Sequence, residues 1–179
     1  IYEHKLINCT NIGIGGMPRE YRDNQENIGE FVKIMDGICK KLKAEGCNFG
    51  YHNHSFEFEV HDGKRTLDRL IDDTNPESFH FIPDTYWMQH AGVNPAEYLK
   101  RMNGRVDVCH FKDMCVVGSE PRFAEVGQGN MDLGACYRTC KEIGVKYIVI
   151  EQDDCYDRHP YESVKIGFEG LKKIAEENS

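Results

Sequence analysis

The sequence predicts an α/β protein, a single domain over residues 1–179 with about five βα units around a parallel sheet. Short apolar runs alternate with longer amphipathic segments, the pattern of strands and crossover helices. Polar side chains directly follow nearly every apolar run. The fold is therefore either an open, doubly wound sheet or most of a (β/α) barrel, because a complete barrel has eight units and typically ~250 residues.

Short apolar segments are predicted as the strands. They are Asn11 to Gly16, Asn48 to His54, Phe79 to Pro83, Val106 to Phe111 and Tyr147 to Ile150. The last is apolar throughout, which is typical of a parallel strand buried on both faces. Glu57 and Glu59 alternate with Phe56 and Phe58, which favours a further, half-exposed strand.

Amphipathic helices are predicted between these strands. The first runs from about Asn24 to Ala44 and ends at Gly46. Its apolar face consists of Ile28, Phe31, Val32, Met35, Ile38, Cys39 and Leu42. The later helices are a short one with Leu67, Leu70 and Ile71, one that opens at Asn94-Pro95, one from Asp132 to Ile143, and Pro160 to Ala175. Asn94 and Asp132 are predicted as N-caps.

Composition and charge exclude several classes of protein. The net charge of -8 argues against nucleic-acid binding, which relies on a basic surface. No segment approaches the ~20 apolar residues of a membrane span, and no signal-peptide pattern opens the chain. The eight cysteines lie largely in apolar patterns without a C-x-x-C pair, which indicates reduced thiols in a cytoplasmic protein. Because Ile1 already lies in mid-pattern, we expect the natural start upstream.

Ligand-type side chains recur at the ends of four successive strands. His52, Asp84, His110 and Glu151 each follow or close an apolar run. In barrels the carboxyl ends of the strands carry the active site, and two imidazoles with two carboxylates suit Mn²⁺, Zn²⁺, Co²⁺ or Fe²⁺. Singly, each has an ordinary alternative: a locally bonded histidine, an aspartate at a helix N-cap or turn, a glutamate paired with a basic residue. The regular repetition favours the metal site.

Several neighbours are candidates for the same site. His54 is two residues from His52 and Lys112 two from His110, so alternation places each pair on one side of a strand. A solvated strand-end lysine is the alternative for Lys112. The candidates for an apolar wall beside this site, or for ordinary core, are Phe56, Tyr86, Trp87 and Phe111. The run Asp153-Asp154 is predicted as solvated surface.

Four segments carry a resemblance to a known family. They are Gly50 to Phe58, Asp84-Thr85-Tyr86-Trp87, His110-Phe111-Lys112-Asp113 and Glu151-Gln152-Asp153, and Glu125 to Gly129 fits a family loop after the seventh strand. Together they resemble the sugar phosphate isomerase/epimerase family of xylose isomerase-like TIM barrels. The resemblance implies a partial TIM barrel that corresponds to strands four to eight, the C-terminal portion of the fold.

In the epimerase members of that family, Glu, Asp, His and Glu from strands five to eight hold a divalent metal. Asp84, His110 and Glu151 match the last three positions, whereas His52 stands in place of the first glutamate. The resemblance thus implies a divalent ion (Mn, Zn, Co, Fe or Mg). A symmetrical two-glutamate epimerisation does not follow, because His52 replaces one of the two glutamates. His54 competes with His52 for the ligand role.

The working hypothesis is metal-dependent sugar isomerisation or epimerisation by proton transfer next to a carbonyl, through an enediolate. Glu151 is the predicted base, with His52 or His54 returning the proton and Lys112 as a further catalytic candidate; Trp87, Tyr86 and Phe56 are predicted substrate contacts. A dehydratase or lyase on a keto-sugar or inosose shares the first step. A silent sugar-binding barrel and a metal-dependent phosphodiester hydrolase are the competing hypotheses. The edge strand near Ile12 to Ile14 predicts a homo-oligomer or a remnant of a complete barrel.

Overall fold

The structure is a computed structural model that describes residues 1–178. Its helices are α1 (Tyr2–Leu6), α2 (Gln25–Ala44), α3 (Thr66–Asp73), α4 (Thr85–His90), α5 (Pro95–Arg101), α6 (Leu133–Glu142) and α7 (Pro160–Glu177). Its strands are β1 (Asn11–Ile14), β2 (Asn48–His52), β3 (Val60–His61), β4 (Lys64–Arg65), β5 (Phe79–Ile82), β6 (Val108–Phe111), β7 (Asp113–Val117), β8 (Glu120–Ala124) and β9 (Tyr147–Ile150).

The central sheet has the parallel strands β1, β2, β5, β6 and β9 side by side in the order of the chain. β1, β2 and β5 form one ladder, and β6 and β9 another. β5 meets β6 through the bonds Phe81 N–H to Arg105 O and His110 N–H to Pro83 O, each 2.8 Å. A doubly wound sheet would reverse its strand order at a switch point. The sequential order instead is that of a (β/α) barrel segment, with α2 beside α3, α5 beside α6 and α6 beside α7.

Capping side chains at the helix starts and apolar faces along the helices account for where several helices form. Asn24 caps α2 by accepting the Asn27 N–H, and Asn94 and Asp132 cap α5 and α6 in the same way. The buried face of α2 is Ile28, Phe31, Met35, Cys39 and Leu42. Ile38, predicted for that face, is 43% exposed, because it lies at the margin of the apolar stripe.

The predicted strand over residues 56 to 59 is wrong. Residues Phe56–Phe58 form a turn of 3₁₀ helix, and Glu57 is fully buried. The Glu57 carboxylate accepts hydrogen bonds from Tyr51 Oη at 2.7 Å and from the His54 N–H at 2.8 Å. Tyr51 Oη in turn accepts the Met17 N–H at 2.7 Å. This network turns the chain inward immediately after β2, so the alternation of Phe and Glu does not mark a strand.

The sheet has one face covered by helices and one concave face. Phe49, Phe79 and Cys109 are buried on the helix side. On the concave side, the Ile82 side chain lies over two glycines: a Cβ on Gly13 or Gly50 would approach Ile82 to 2.8 Å or 2.6 Å. These glycines let one isoleucine span three strands below His52.

β9 is not buried on both faces, contrary to prediction. Tyr147 is 58% and Val149 is 43% exposed, whereas Ile148 and Ile150 are half-buried. Among the described residues β9 pairs with β6 alone, and Ile150 packs toward Gly167 of α7. Tyr147 and Val149 alternate with Ile148 and Ile150, so they point to the concave face, where no described element covers them.

The antiparallel hairpin β7–β8 was not predicted. Its turn uses Gly118 at φ +65°, and it extends directly from the end of β6.

No helix in residues 1–178 has both the length and the apolar character needed to cross a membrane.

Two helical glycines differ in what an added methyl group would meet. A Cβ on Gly170 of α7 would lie 1.8 Å from Val126 O, whereas one on Gly37 of α2 would have no neighbour within 4 Å. We expect Gly170→Ala to lower the free energy of unfolding by about 1–3 kcal/mol. Gly37→Ala should raise it by roughly 0.5–1 kcal/mol, because the unfolded chain loses entropy. Urea denaturation of both variants measures the contrast; equal effects would contradict the close α7 packing.

Candidate metal centre

Four strand ends bring four ligand-type side chains together. His52 closes β2, His110 lies in β6, and Glu151 follows β9 directly. Asp84 follows β5 and is the N-cap of α4. One potential donor atom from each lies within 4.8 Å of the other three. These are the four predicted ligands, and the distance suits a single ion.

Several donor atoms of this cluster have no other use within the protein. Asp84 Oδ1 accepts the Trp87 N–H at 3.2 Å, but Asp84 Oδ2 is buried without a hydrogen bond. The N-cap and ligand interpretations of Asp84 are therefore compatible. His110 Nδ1 and Glu151 Oε2 contact each other without hydrogen-bond geometry. Buried acceptors without partners are costly, and a cation between them would satisfy all three.

His52 is prepared for ligation by its surroundings. Its Nδ1 lies 3.3 Å from Ile82 O, which favours the tautomer with a proton on Nδ1 and a free lone pair on Nε2. Burial lowers the pKa of His52 to about 4, with His110 adding to the effect, so the ring is neutral at pH 7. A neutral imidazole is the form that binds a metal.

His54 lies beside the cluster rather than in it. β2 ends at His52, so strand alternation does not extend to His54. Its ring meets His52 edge-on at 4.8 Å, stacks on Phe56 at 5.7 Å and lies 5.1 Å from Trp87. Its Nδ1 is buried without a hydrogen bond. The geometry favours His52 as ligand and leaves His54 facing the space next to the metal position.

The two carboxyl groups have opposite electrostatic settings. Burial raises the pKa of Asp84 to about 7, against the opposing effect of Lys112. The His110 imidazole beside Glu151 lowers the pKa of that carboxyl to about 2. Glu151 is therefore ionised at neutral pH, whereas Asp84 needs a nearby cation to be fully ionised. A divalent ion would supply that charge, and the mixed nitrogen and oxygen donors would fit Mn²⁺, Zn²⁺, Co²⁺ or Fe²⁺.

Lys112 is a fully buried cation behind the ligands. Its Nζ lies 2.5 Å from Asp153 Oδ2, 3.5 Å from Glu151 Oε1 and 3.8 Å from Asp84 Oδ2. The alternative of a solvated lysine is wrong, because side-chain exposure is 0%. Asp153, predicted as solvated surface, is 40% exposed but belongs to this ion pair.

The predicted aromatic wall divides into two parts. Trp87 and Phe56 flank His54, and Trp87 Nε1 is buried without a hydrogen bond. Tyr86 is 4% exposed and packs on Phe123 of β8 at 4.5 Å between ring centres. Phe111 is fully buried in the core and takes no part in the wall, since it alternates with His110 and points to the helices.

Three residues that the sequence analysis missed support the site. Asn53 is buried and accepts the Asp84 N–H at 3.1 Å, which joins the ends of β2 and β5. Asp113 accepts N–H groups of Gly127 and Gly129, each at 3.0 Å, and so holds the loop before α6. Phe123 arrives through the hairpin. The sequence feature that could have indicated the Asp113 contact is Gly127-Gln128-Gly129, because a Cβ on Gly129 would lie 2.3 Å from Asp113 Oδ1.

The choice between His52 and His54 can be tested by metal content. We expect His52→Ala to weaken divalent-metal affinity by more than the ~10–100-fold that loss of an outer partner costs. His54→Ala should keep the affinity, because His54 is not among the clustered donors. Elemental analysis and Mn²⁺ titration of the two variants measure this. The reverse order would assign the ligand role to His54.

The buried Glu57 carboxyl, in the turn that follows His54, should make the stability of the protein depend on pH. Burial raises its pKa from 4.5 to about 7, so the folded protein holds an extra proton between those values. Its contribution to stability is complete below pH 4.5 and is lost as pH rises through 7. Glu57→Gln removes this titration. Between pH 5 and pH 8 the free energy of unfolding of wild type should fall by about 2 kcal/mol relative to that of the variant. This is within the ~1.4 kcal/mol per unit of pKa shift that linkage allows. The free energy of unfolding of both proteins is measured by urea denaturation at each pH. If it changed with pH in the same way in wild type and variant, the raised pKa would be contradicted.

The chain resembles proteins of known family and structure. A family model described as xylose isomerase-like TIM barrel matches residues 4–174. An inosose dehydratase from Geobacillus kaustophilus (strain HTA426) is 29% identical over 103 residues, 54% of this chain and 32% of the relative. A sugar phosphate isomerase/epimerase structure from Parabacteroides distasonis ATCC 8503 is 25% identical with a TM-score of 0.78, covering 96% of this chain and 61% of that one.

A solved IOLI protein with a bound zinc atom has a TM-score of 0.74 at 14% identity, over 99% of this chain and 67% of that one. The chain thus spans about a third of the curated relative and about three fifths of the Parabacteroides structure. The family resemblance and the partial barrel predicted from the sequence are both confirmed. The chain belongs to the xylose isomerase-like TIM barrel family.

Proposed function

We propose that this protein is a metal-dependent isomerase or epimerase of a sugar, sugar phosphate or keto-sugar that moves a proton next to a carbonyl. The observation that carries the proposal is the cluster of His52, Asp84, His110 and Glu151, with unpaired donor atoms at the carboxyl ends of parallel strands. A divalent ion held there supplies Lewis-acid stabilisation of the negative charge that develops on the sugar oxygens. Membership of a family that includes sugar isomerases and epimerases supports the substrate class.

Glu151 is the proposed base. The contact of its Oε2 with His110 Nδ1 lowers the pKa of the carboxyl and keeps it ionised, and Oε2 accepts no hydrogen bond from any other described residue. Abstraction of the proton next to the carbonyl gives an enediolate, and a second group must return a proton to complete the reaction. His54 is proposed for that return, since its Nδ1 is unpaired and its ring lies 4.8 Å from His52.

The remaining predicted residues position the sugar or the base. Trp87 is proposed to offer a ring face to the apolar face of a sugar ring. Phe56 stacks on His54 and has the Arg22 guanidinium 3.5 Å from its ring centre, so its proposed contribution is to position His54. Tyr86 is nearly buried, so its proposed contribution is to support Trp87, whose ring it meets at 4.9 Å. Lys112 is proposed to act on the reaction through Glu151, 3.5 Å from its Nζ.

A second candidate is a dehydratase or lyase on a keto-sugar or inosose. The similarity to an inosose dehydratase favours it. Elimination begins with the same proton abstraction and differs in the loss of a β-substituent from the enediolate. Product analysis separates the two, because elimination releases water or an alcohol and isomerisation releases nothing.

The proposal extends to partners and location. A small-molecule sugar is the proposed substrate, and the net charge of -8 disfavours the nucleic-acid substrate of a phosphodiesterase. All eight cysteines are free thiols, which supports a reducing compartment such as the cytoplasm. Among the described residues β1 pairs only with β2, and this open edge supports association with a further chain or segment.

The decisive experiment follows solvent deuterium into the substrate. Keto-sugars, inososes and ketose phosphates are incubated with the protein and Mn²⁺ in D₂O, and exchange next to the carbonyl is read by NMR. Glu151→Gln should lower exchange and turnover by about 10²–10⁴-fold, the range for loss of a general base. The matched control, Glu169→Gln on the exposed side of α7, should leave both unchanged. Full turnover by metal-loaded Glu151→Gln would refute the assignment of Glu151 as the base. If freshly purified wild type contained no transition metal, a silent sugar-binding barrel would be favoured instead.

A further inference from the structure

The nearest partner of the buried Lys112 ammonium is not a predicted metal ligand. Asp153 Oδ2 lies 2.5 Å from Nζ, whereas the ligand oxygens Glu151 Oε1 and Asp84 Oδ2 lie at 3.5 Å and 3.8 Å. A buried cation requires paired charge, because loss of its hydration costs several kcal/mol in the interior. All three carboxylates are therefore within reach of a single ammonium group.

The surroundings leave the ammonium few other positions. Ring centres of Tyr86, Trp87 and Phe123 lie 5.9 Å, 5.1 Å and 4.9 Å from Nζ. Aromatic faces attract a cation but donate no charge that could replace a carboxylate. Without Asp153, the ammonium would draw on Glu151 and Asp84, the two groups that supply the negative charge for a divalent ion.

We infer that Asp153 is a positioning residue of the metal centre: it binds the Lys112 ammonium and so leaves the carboxylates of Glu151 and Asp84 to the metal. The inference rests on the proposed metal centre but not on the reaction run there. The charges balance in this arrangement, since Glu151 and Asp84 match a divalent ion and Asp153 matches Lys112. Asp153 is thus a determinant of metal affinity that touches no metal.

A double-mutant cycle on metal affinity tests this. Mn²⁺ or Co²⁺ binding is measured by calorimetric titration for wild type, Asp153→Asn, Lys112→Met and the double variant. Asp153→Asn should weaken binding by about 10–100-fold, the usual cost of losing an outer partner. Lys112→Met should bind at least as tightly as wild type, because it removes the competing cation and fits the aromatic surroundings. The double variant should return to within about threefold of wild type.

The matched control is Asp154→Asn, which removes the same charge one residue further along. Asp154 is exposed and makes no contact with Lys112; its Oδ1 accepts the Tyr156 N–H. The metal affinity of the Asp154→Asn variant should equal that of wild type. Circular dichroism melts of all variants establish that each is folded, and the Co²⁺ absorption spectrum reports whether the ligand geometry persists.

Two results would overturn the inference: an unchanged metal affinity in Asp153→Asn, or a double variant as weak as Asp153→Asn alone. Either can occur in a protein that exchanges substrate protons normally, which leaves the proposed function intact. Wild type that binds metal tightly but exchanges no proton in any sugar overturns the proposed function alone. Wild type without metal affinity overturns both.

Discussion

The register of five parallel strands is the constraint on which the rest of the structure depends. Neighbouring strands pair so that His52 is opposite Ile82 and Asp84 is opposite His110. Because side chains alternate along a strand, these pairings fix which residues face the helices and which face the concave side. A shift of one residue in β2, β5, β6 or β9 would move a predicted ligand toward the core; in β6 it would bring the core residue Phe111 into the site.

Buried charge is the second organising feature, and each buried ionisable group has its own solution. Glu57 accepts two hydrogen bonds and burial raises its pKa to about 7, Lys112 pairs with carboxylates, and Asp113 accepts backbone N–H groups. Asp84 Oδ2 and Glu151 Oε2 are buried oxygens without a hydrogen bond. Among the described residues, the buried carboxylate oxygens without hydrogen bonds therefore belong to the cluster where a metal ion would complete their pairing.

The sequence predicted those features that depend on neighbours in the chain. The caps at Asn94 and Asp132 and the polar residue after each strand are local signals, and they predicted the βα units and all four clustered side chains. The resemblance to a known family decided for the barrel segment over an open sheet. The hairpin, the inward turn at Glu57 and the Asp153 pair with Lys112 depend on contacts between distant segments. Hydrophobic periodicity contains no information on such contacts, so these were missed.

The isoleucine that lies across Gly13 and Gly50 has a consequence for how molecules reach the centre. Ile82 lies on the concave side next to Gly13 and Gly50, so an apolar side chain covers the backbone of β1 and β2 on the amino-terminal side of His52. This narrows access to His52 from the amino-terminal ends of these strands, and His54 and Trp87 lie on the other side, beyond the carboxyl ends of β2 and β5.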